Sequence, residues 1–349
     1  MKITKEIFEQ QRRPRFGNAN PERMRCAFWE WMIRGNDQRL QSEEPGELER
    51  IGLIMREGKL KSSYGPYRAR DLFNVPLNRE DGPIWTFDRM GSTRTELPDG
   101  QVVCIGGEHE DSYDPDFCIY NDVVVFGPDD QIAIFGYPKE IFPPTDFHTA
   151  TLAGDQLIIV GSLGYRDDRQ PGHTPVYAVR LSDYRISKIE VGGEGPGWVF
   201  KHTAELTPKG IVIRGGEIFE EHAGKRRYRR NIEDYVLDLS RGEWHRLTTR
   251  NWRQFYIRQE DGGLFVLEQR PEAEALLPRG IKHRVVRCKE SSSARFLVRR
   301  VPVSLTVRID RIEVMVEGNL SEELCTQLAE ELRANAEECL QCECVLDWV

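Results

Sequence analysis

The sequence predicts an all-β protein: a propeller of about four four-stranded units, preceded by a helical N-terminal segment and followed by a C-terminal β-α-β appendage. Three observations predict it. An apolar run ending in glycine recurs at a fixed period, each copy is followed by the same order of polar loop and β-rich runs, and both ends of the chain lack that pattern.

Residues 1–80 read as helical and extended. Asn20 as an N-cap, Pro21 at the first helical position, and Met24, Phe28, Trp31 and Met32 at helix-like spacing predict an amphipathic helix over 20–34. Its aromatics are of the kind that packs against neighbouring strands. The charged stretch 36–65 reads as a connection holding one short helix near 45–57, and 66–73 as another helical turn.

The repeat occupies residues 81–302. Three segments align, LPDGQVVCIGGE (97–108), LAGDQLIIVGSL (152–163) and LTPKGIVIRGGE (206–217), and their glycines Gly106, Gly161 and Gly215 are 55 and 54 residues apart. Thirteen residues before each glycine stand Thr93, His148 and His202, so each period opens with two strands joined by a short turn. Third strands follow at 120–126, 175–181 and 231–239, and fourth strands at 131–137, 185–191 and 243–249. Four antiparallel strands per unit is the pattern of a propeller blade. One more period leads to 255–269, 283–290 and 294–300, a degenerate fourth unit without its glycine pair.

An apolar strand ending in Gly-Gly, a polar loop, an aromatic or acidic strand and a closing Trp resemble the kelch repeat. The third unit carries this best, through Ile211 to Gly216, Tyr235, Asp238 and Trp244; the first lacks the Trp and the second has Gly161-Ser162. Together with FWEWMIR and GGEHEDSYDPDFCIYNDV, the whole is similar to a group of bacterial kelch-motif proteins. The resemblance implies a kelch-type propeller and permits metal-dependent enzymes without favouring them. Four units are few for such a ring. Flanking segments supply strands, four units close, or two chains cooperate.

Residues 303–349 predict the appendage, with alternating Ile312, Val314 and Val316, a helix capped by Ser321 that carries Leu324, Leu328 and Leu332, and a final strand. Cys339, Cys342 and Cys344 form C-x2-C-x-C, which lacks the second ligand pair of a zinc site and reads as burial. Eight scattered cysteines give no disulfide framework. No apolar run approaches the ~18 residues of a membrane span and no secretory leader is evident, so a cytoplasmic protein is expected. A net charge of -8 opposes nucleic acid as a partner.

In a unit of this kind the start of the first strand and the end of the second share one end of the sheet. Asp88, Arg89, Glu108, His109, Glu110, Asp146, His148, His202 and Glu217 are thereby expected around one mouth of a central channel. Such groups tie neighbouring units by hydrogen bonds, contact a small molecule or peptide, or hold Fe or Zn, with His148 and His202 as the weak metal candidates. Two charged loops are expected on the same rim. EHEDSYDPD (108–116) holds five carboxylates, among them Asp111, Asp114 and Asp116, and KRRYRR (225–230) holds Arg226, Arg227, Tyr228, Arg229 and Arg230. Calcium fits the acidic loop poorly, because the ligand order of an EF-hand is missing.

No nucleophile elbow, H-E-x-x-H or phosphate loop is present, so no motif speaks for catalysis. The first reading is a non-catalytic protein-protein interaction scaffold presenting the charged loops to a protein partner, without a cofactor and with self-association as an option. The alternative is a metal-dependent enzyme or small-ligand binder at the channel mouth, with Fe or Zn as the cofactor.

Overall fold

A computed structural model describes residues 3–36, 53–56, 59–62, 82–109, 116–128, 131–222, 225–265, 270–289 and 292–349. The chain is mostly β-sheet and divides into two compact units, Met1–Leu247 and Thr248–Val349. Among the described residues no helix is long and apolar enough to cross a membrane.

The first unit opens with helix α1 (Lys5–Gln11), capped by the Thr4 hydroxyl, which accepts from the Ile7 N–H at 3.4 Å. Strand β1 (Glu22–Arg23) pairs with Phe135 and Gly136, and helix α2 (Ala27–Asn36) follows. The helix expected from residue 20 therefore starts later, because pairing at 22–23 requires extended backbone. Asn20 is not its cap. Its side chain donates to the Ile186 carbonyl at 2.7 Å and accepts from the Ile186 N–H at 2.9 Å. Strands β2 (Leu53–Arg56) and β3 (Lys59–Ser62) form a hairpin within the stretch expected to hold a short helix. The rest of 45–57 and residues 66–73 lie outside the described residues.

Three four-stranded antiparallel meanders follow. The first comprises β4 (Thr93–Glu96), β5 (Val102–Ile105), β8 (Val123–Phe126) and β9 (Ile132–Gly136), with β1 outside β9 and a short hairpin of β6 (Glu108–His109) and β7 (Cys118–Ile119) between β5 and β8. The second comprises β10 (Thr149–Ala153), β11 (Gln156–Val160), β12 (Val176–Arg180) and β13 (Ile186–Lys188). After β14 (Gly192–Gly193) and β15 (Trp198–Phe200), the third comprises β16 (Thr203–Thr207), β17 (Gly210–Arg214), β20 (Tyr235–Asp238) and β21 (Glu243–Arg246). Between β17 and β20 stands the hairpin of β18 (Glu217–His222) and β19 (Lys225–Arg230), joined by β15.

These sheets stack face to face, and the alternation of side chains along each central strand divides them between two layers. Val102, Cys104, Val124 and Phe126 face Phe28, Trp29 and Met32 of α2, where the Trp29 and Trp85 rings stack at 4.8 Å. Val103, Ile105, Val123 and Val125 face Leu157, Ile159 and Val179 of the second sheet. The other side of that sheet, Ile158, Val160, Val176 and Ala178, meets Ile211, Ile213, Tyr235 and Leu237 of the third. Burial on both faces explains why these strands read as unbroken apolar runs. The first strand of the middle sheet, β10, lies against both β4 and β16.

The second unit is one antiparallel sheet in the order β23 (His283–Lys289), β24 (Ser293–Val298), β25 (Val301–Val307), β26 (Ile312–Val316), β22 (Arg253–Gln259) and β27 (Cys344–Trp348). Helix α3 (Glu322–Leu340) covers it, burying Cys325, Leu328, Leu332 and Ala336, with Leu328, Leu332 and Ala336 in a core that includes Phe255, Phe296 and Val314. Strands β26 and β27 both run antiparallel to β22, so the expected β-α-β is present with β22 inserted between its strands. The segments taken as a fourth propeller unit belong to this same sheet. A border at 302/303 would cut β25, and the observed division lies at 247/248.

Gly106, Gly161 and Gly215 end the second strands of successive sheets, all with left-handed backbone. At Gly161 an added Cβ would collide with the Val199 carbonyl oxygen of the neighbouring junction, whereas at Gly215 nothing lies within 4 Å. Gly215→Ala should therefore cost about 1 kcal/mol through its positive φ alone, and Gly161→Ala about 3 kcal/mol, as overpacking adds to the same strain. Urea titrations of both variants measure this; equal losses would contradict the placement of Gly161 at a sheet junction.

Candidate functional site: the sheet junctions and the connections above them

The first strands of the second and third sheets are each reached through a turn that locks onto the turn before it. Gly91, Phe147 and Lys201 hold φ of 64°, 48° and 55° at corresponding positions. The Phe147 N–H donates to the Gly91 carbonyl at 2.7 Å, and the Lys201 N–H donates to the Phe147 carbonyl at 2.8 Å. Non-glycine residues adopt this conformation only where surrounding contacts enforce it. A second pair of bonds repeats the relation: Gly107 N–H donates to Thr145 O at 2.8 Å and Ser162 N–H donates to Val199 O at 3.0 Å. Ser162, where the repeat departs from Gly-Gly, thus makes the same backbone bond as Gly107.

Cross-strand partners Thr93↔Ile105, Thr149↔Val160 and Thr203↔Arg214 make the three threonines equivalent. The sequence alignment of Thr93 with His148 and His202 is corrected by one residue, because residues 97–101 join β4 to β5 whereas two residues suffice in the other sheets. The histidines precede their strands and point to the sheet before. His148 Nε2 lies 3.0 Å from Thr93 Oγ1, and His202 Nε2 lies 3.0 Å from Thr149 Oγ1. His148 Nδ1 also reaches Thr145 Oγ1 at 3.4 Å, while His202 Nδ1 is buried without a hydrogen-bond partner. An orphaned lone pair costs less than an orphaned N–H, which places the His202 proton on Nε2. Burial lowers the pKa of His148 to about 3, helped by His202, and that of His202 to about 4, so both are neutral at pH 7.

The expected ring at the mouth is assembled only in part. Asp146 is fully buried, and its Oδ1 accepts from the Gly164 N–H at 2.6 Å. Burial raises its pKa, opposed by that amide, by the neighbouring Glu108 carboxyl group and by the charge of Arg169. Lys201 pairs with Glu217 at 3.9 Å. Arg89 is withdrawn from the mouth. Its guanidinium is buried over the Tyr120 ring, donates to Asp122 Oδ2 at 3.0 Å and is bonded to the Thr86 and Gly106 carbonyls. Asp88 is exposed, His109 is buried in the β6–β7 hairpin, and Asp116 is half-buried next to that hairpin. Glu110, Asp111 and Asp114 lie outside the described residues. The two candidate metal histidines sit in different junctions, each tied to a threonine, and among the described residues no three His, Cys, Asp or Glu side chains converge as ligands.

The basic run is not a loop. Residues Lys225–Arg230 form β19, paired residue by residue with the acidic strand β18. Glu220 accepts from Arg227 Nε at 2.9 Å and from Arg229 Nε at 2.6 Å, Tyr228 turns inward against Phe200 and Phe219, and Arg226 and Arg230 remain exposed. Sequence reasoning missed Tyr165 and Arg169, which join the connections of different sheets. The Tyr165 hydroxyl accepts from the Ile119 N–H at 2.9 Å and its ring meets Phe117, while Arg169 bonds the Tyr228 hydroxyl. An aromatic and an arginine spaced in a polar loop were the available signal, but their partners lie 46 and 59 residues away. Below this surface is a cleft of about 500 Å³ walled by Lys139, Ser162, Gly164, Asp168, His173 and Trp198.

No family model and no curated protein matches the chain. Among solved structures, that of YjhT aligns with a TM-score of 0.36 at 12% sequence identity, covering 64% of this chain and 68% of that one. At that distance it carries no argument about fold or function.

A histidine whose folded pKa is depressed resists protonation in the native state only. Its contribution to stability is complete above the unfolded value of about 6.5 and is lost as pH falls from there toward the folded values. The His148→Gln/His202→Gln variant should be less stable at neutral pH yet lose less stability between about pH 7 and 4.5 than the parent. Urea midpoints across that range test this, and an unchanged slope would contradict buried neutral imidazoles.

Proposed function

We propose that the first unit is a kelch-like run of propeller sectors that works as a non-catalytic interaction scaffold for a protein partner. One observation carries this reading. The connections from second to third strands, within 106–122, 161–175 and 215–234, leave the same end of three stacked sheets and are knit together by Tyr165 and Arg169. Loops held at fixed separations by rigid strands lose little conformational freedom on binding. Glu220 holds Arg227 and Arg229, so the basic side chains of this hairpin that reach the surface are Arg226 and Arg230. Such exposed charges set orientation and association rate. The metal-dependent alternative draws little support from histidines engaged with Thr93 and Thr149.

Affinity capture by the purified chain tests the scaffold. A partner retained by the parent should be reduced about tenfold by Arg226→Glu/Arg230→Glu and unaffected by Arg185→Glu, which lies in a turn at the opposite end of the sheets. Equal retention by the parent and the Arg226/Arg230 variant would remove this rim as the docking surface.

A further inference from the structure

The second unit contains a groove of about 790 Å³ whose lining includes Lys282, Arg284, Arg299 and Arg300, with His283 beside them and no carboxylate. Its lining also holds the apolar Leu297 and Val298 of β24 and Leu324 of α3. Six other arginines of this unit are neutralised, Arg258 by Asp347, Arg279 by Glu338, Arg295 by Glu317, Arg308 and Arg311 by Glu313, and Arg333 by Glu330 and Glu337, whereas the scattered Arg253, Arg270 and Arg287 make no ion pair among the described residues. Among the described residues the four cations lining the groove make no ion pair.

A second observation is independent of charge. Arg299 and Arg300 are the two central residues of the hairpin between β24 and β25, closed by the Val298↔Val301 pair, and their φ values are 46° and 72°. A two-residue turn with both φ positive favours Asn-Gly or Gly-Gly, and arginine gains nothing there from the backbone. The turn breaks its local preference and directs two unpaired guanidinium groups to the groove. Deviations of that kind mark sites where something other than stability is served.

We infer that this groove binds an organic phosphate of about nucleotide size. Planar guanidinium forks match phosphate oxygens two at a time, and several converging cations suit a multiply charged anion. The apolar lining residues provide for a carbon body that inorganic phosphate lacks, and the volume falls in the range of small-molecule sites. The net charge of -8 opposes a long polyanion.

The full chain is titrated at low ionic strength with ADP, inorganic pyrophosphate, adenosine and a single-stranded dT oligonucleotide. ADP should bind more tightly than pyrophosphate and adenosine should not bind. The Arg299→Asn/Arg300→Gly variant restores the favoured turn, so it should keep or raise Tm while weakening ADP about tenfold or more. A lowered Tm with ADP affinity intact would make the arginines structural and overturn the assignment. So would failure of both ADP and pyrophosphate to bind below about 1 mM, or tighter binding of the oligonucleotide than of ADP.

Discussion

The architecture of the first unit depends on how one sheet is fastened to the next. Each junction combines a left-handed turn residue donating its N–H to the turn before it, a glycine or serine amide bonded to the following segment, and a neutral histidine wedged against a threonine hydroxyl. None of these interactions is large alone, since a net hydrogen bond contributes about 1 kcal/mol. They act on sheets whose apolar faces already match, and they fix the angle and register at which those faces meet. Imidazole suits the position because its neutral form presents a donor and an acceptor at opposite corners of a flat ring.

Fastening the sheets has a consequence at their ends. The long connections between second and third strands are brought side by side, and Tyr165 and Arg169 turn three loops into one surface. The hairpin of β18 and β19 shows how charge is managed there. Glu220 draws in two of the arginines, Tyr228 anchors the strand among Phe200 and Phe219, and Arg226 and Arg230 are the exposed arginines of the strand. A strand of basic residues is stable because its partner strand is acidic, with cross-strand pairs such as Glu220↔Arg227 and Glu221↔Arg226.

Glycine periodicity located the first, second, third and fourth strands of three sheets, because Gly106, Gly161 and Gly215 mark a conformation that other residues seldom adopt. Register within the sheets was less legible. The longer turn after β4 is invisible to an alignment on glycine, and it shifts Thr93 by one place relative to the histidines. The run 225–230 read as a loop because arginine is a poor marker of strands, and pairing with 217–222 depends on residues outside the run. The segments 255–269, 283–290 and 294–300 read as another copy because their strands have similar length and spacing, but Phe255 and Ile257 join a core with α3. Of the candidate mouth residues, Arg89 is held by Asp122, an acceptor whose role only the folded chain reveals.

Hydrogen exchange at the junction amides probes the fastening of the sheets most directly. The Phe147 and Lys201 N–H groups lie in connecting turns, which exchange rapidly when they are held by local contacts alone. If the junctions hold the sheets as described, both amides exchange as slowly as those of the central strands at Ile158 and Ile213. Exchange at loop rates while those strands stay protected would contradict it.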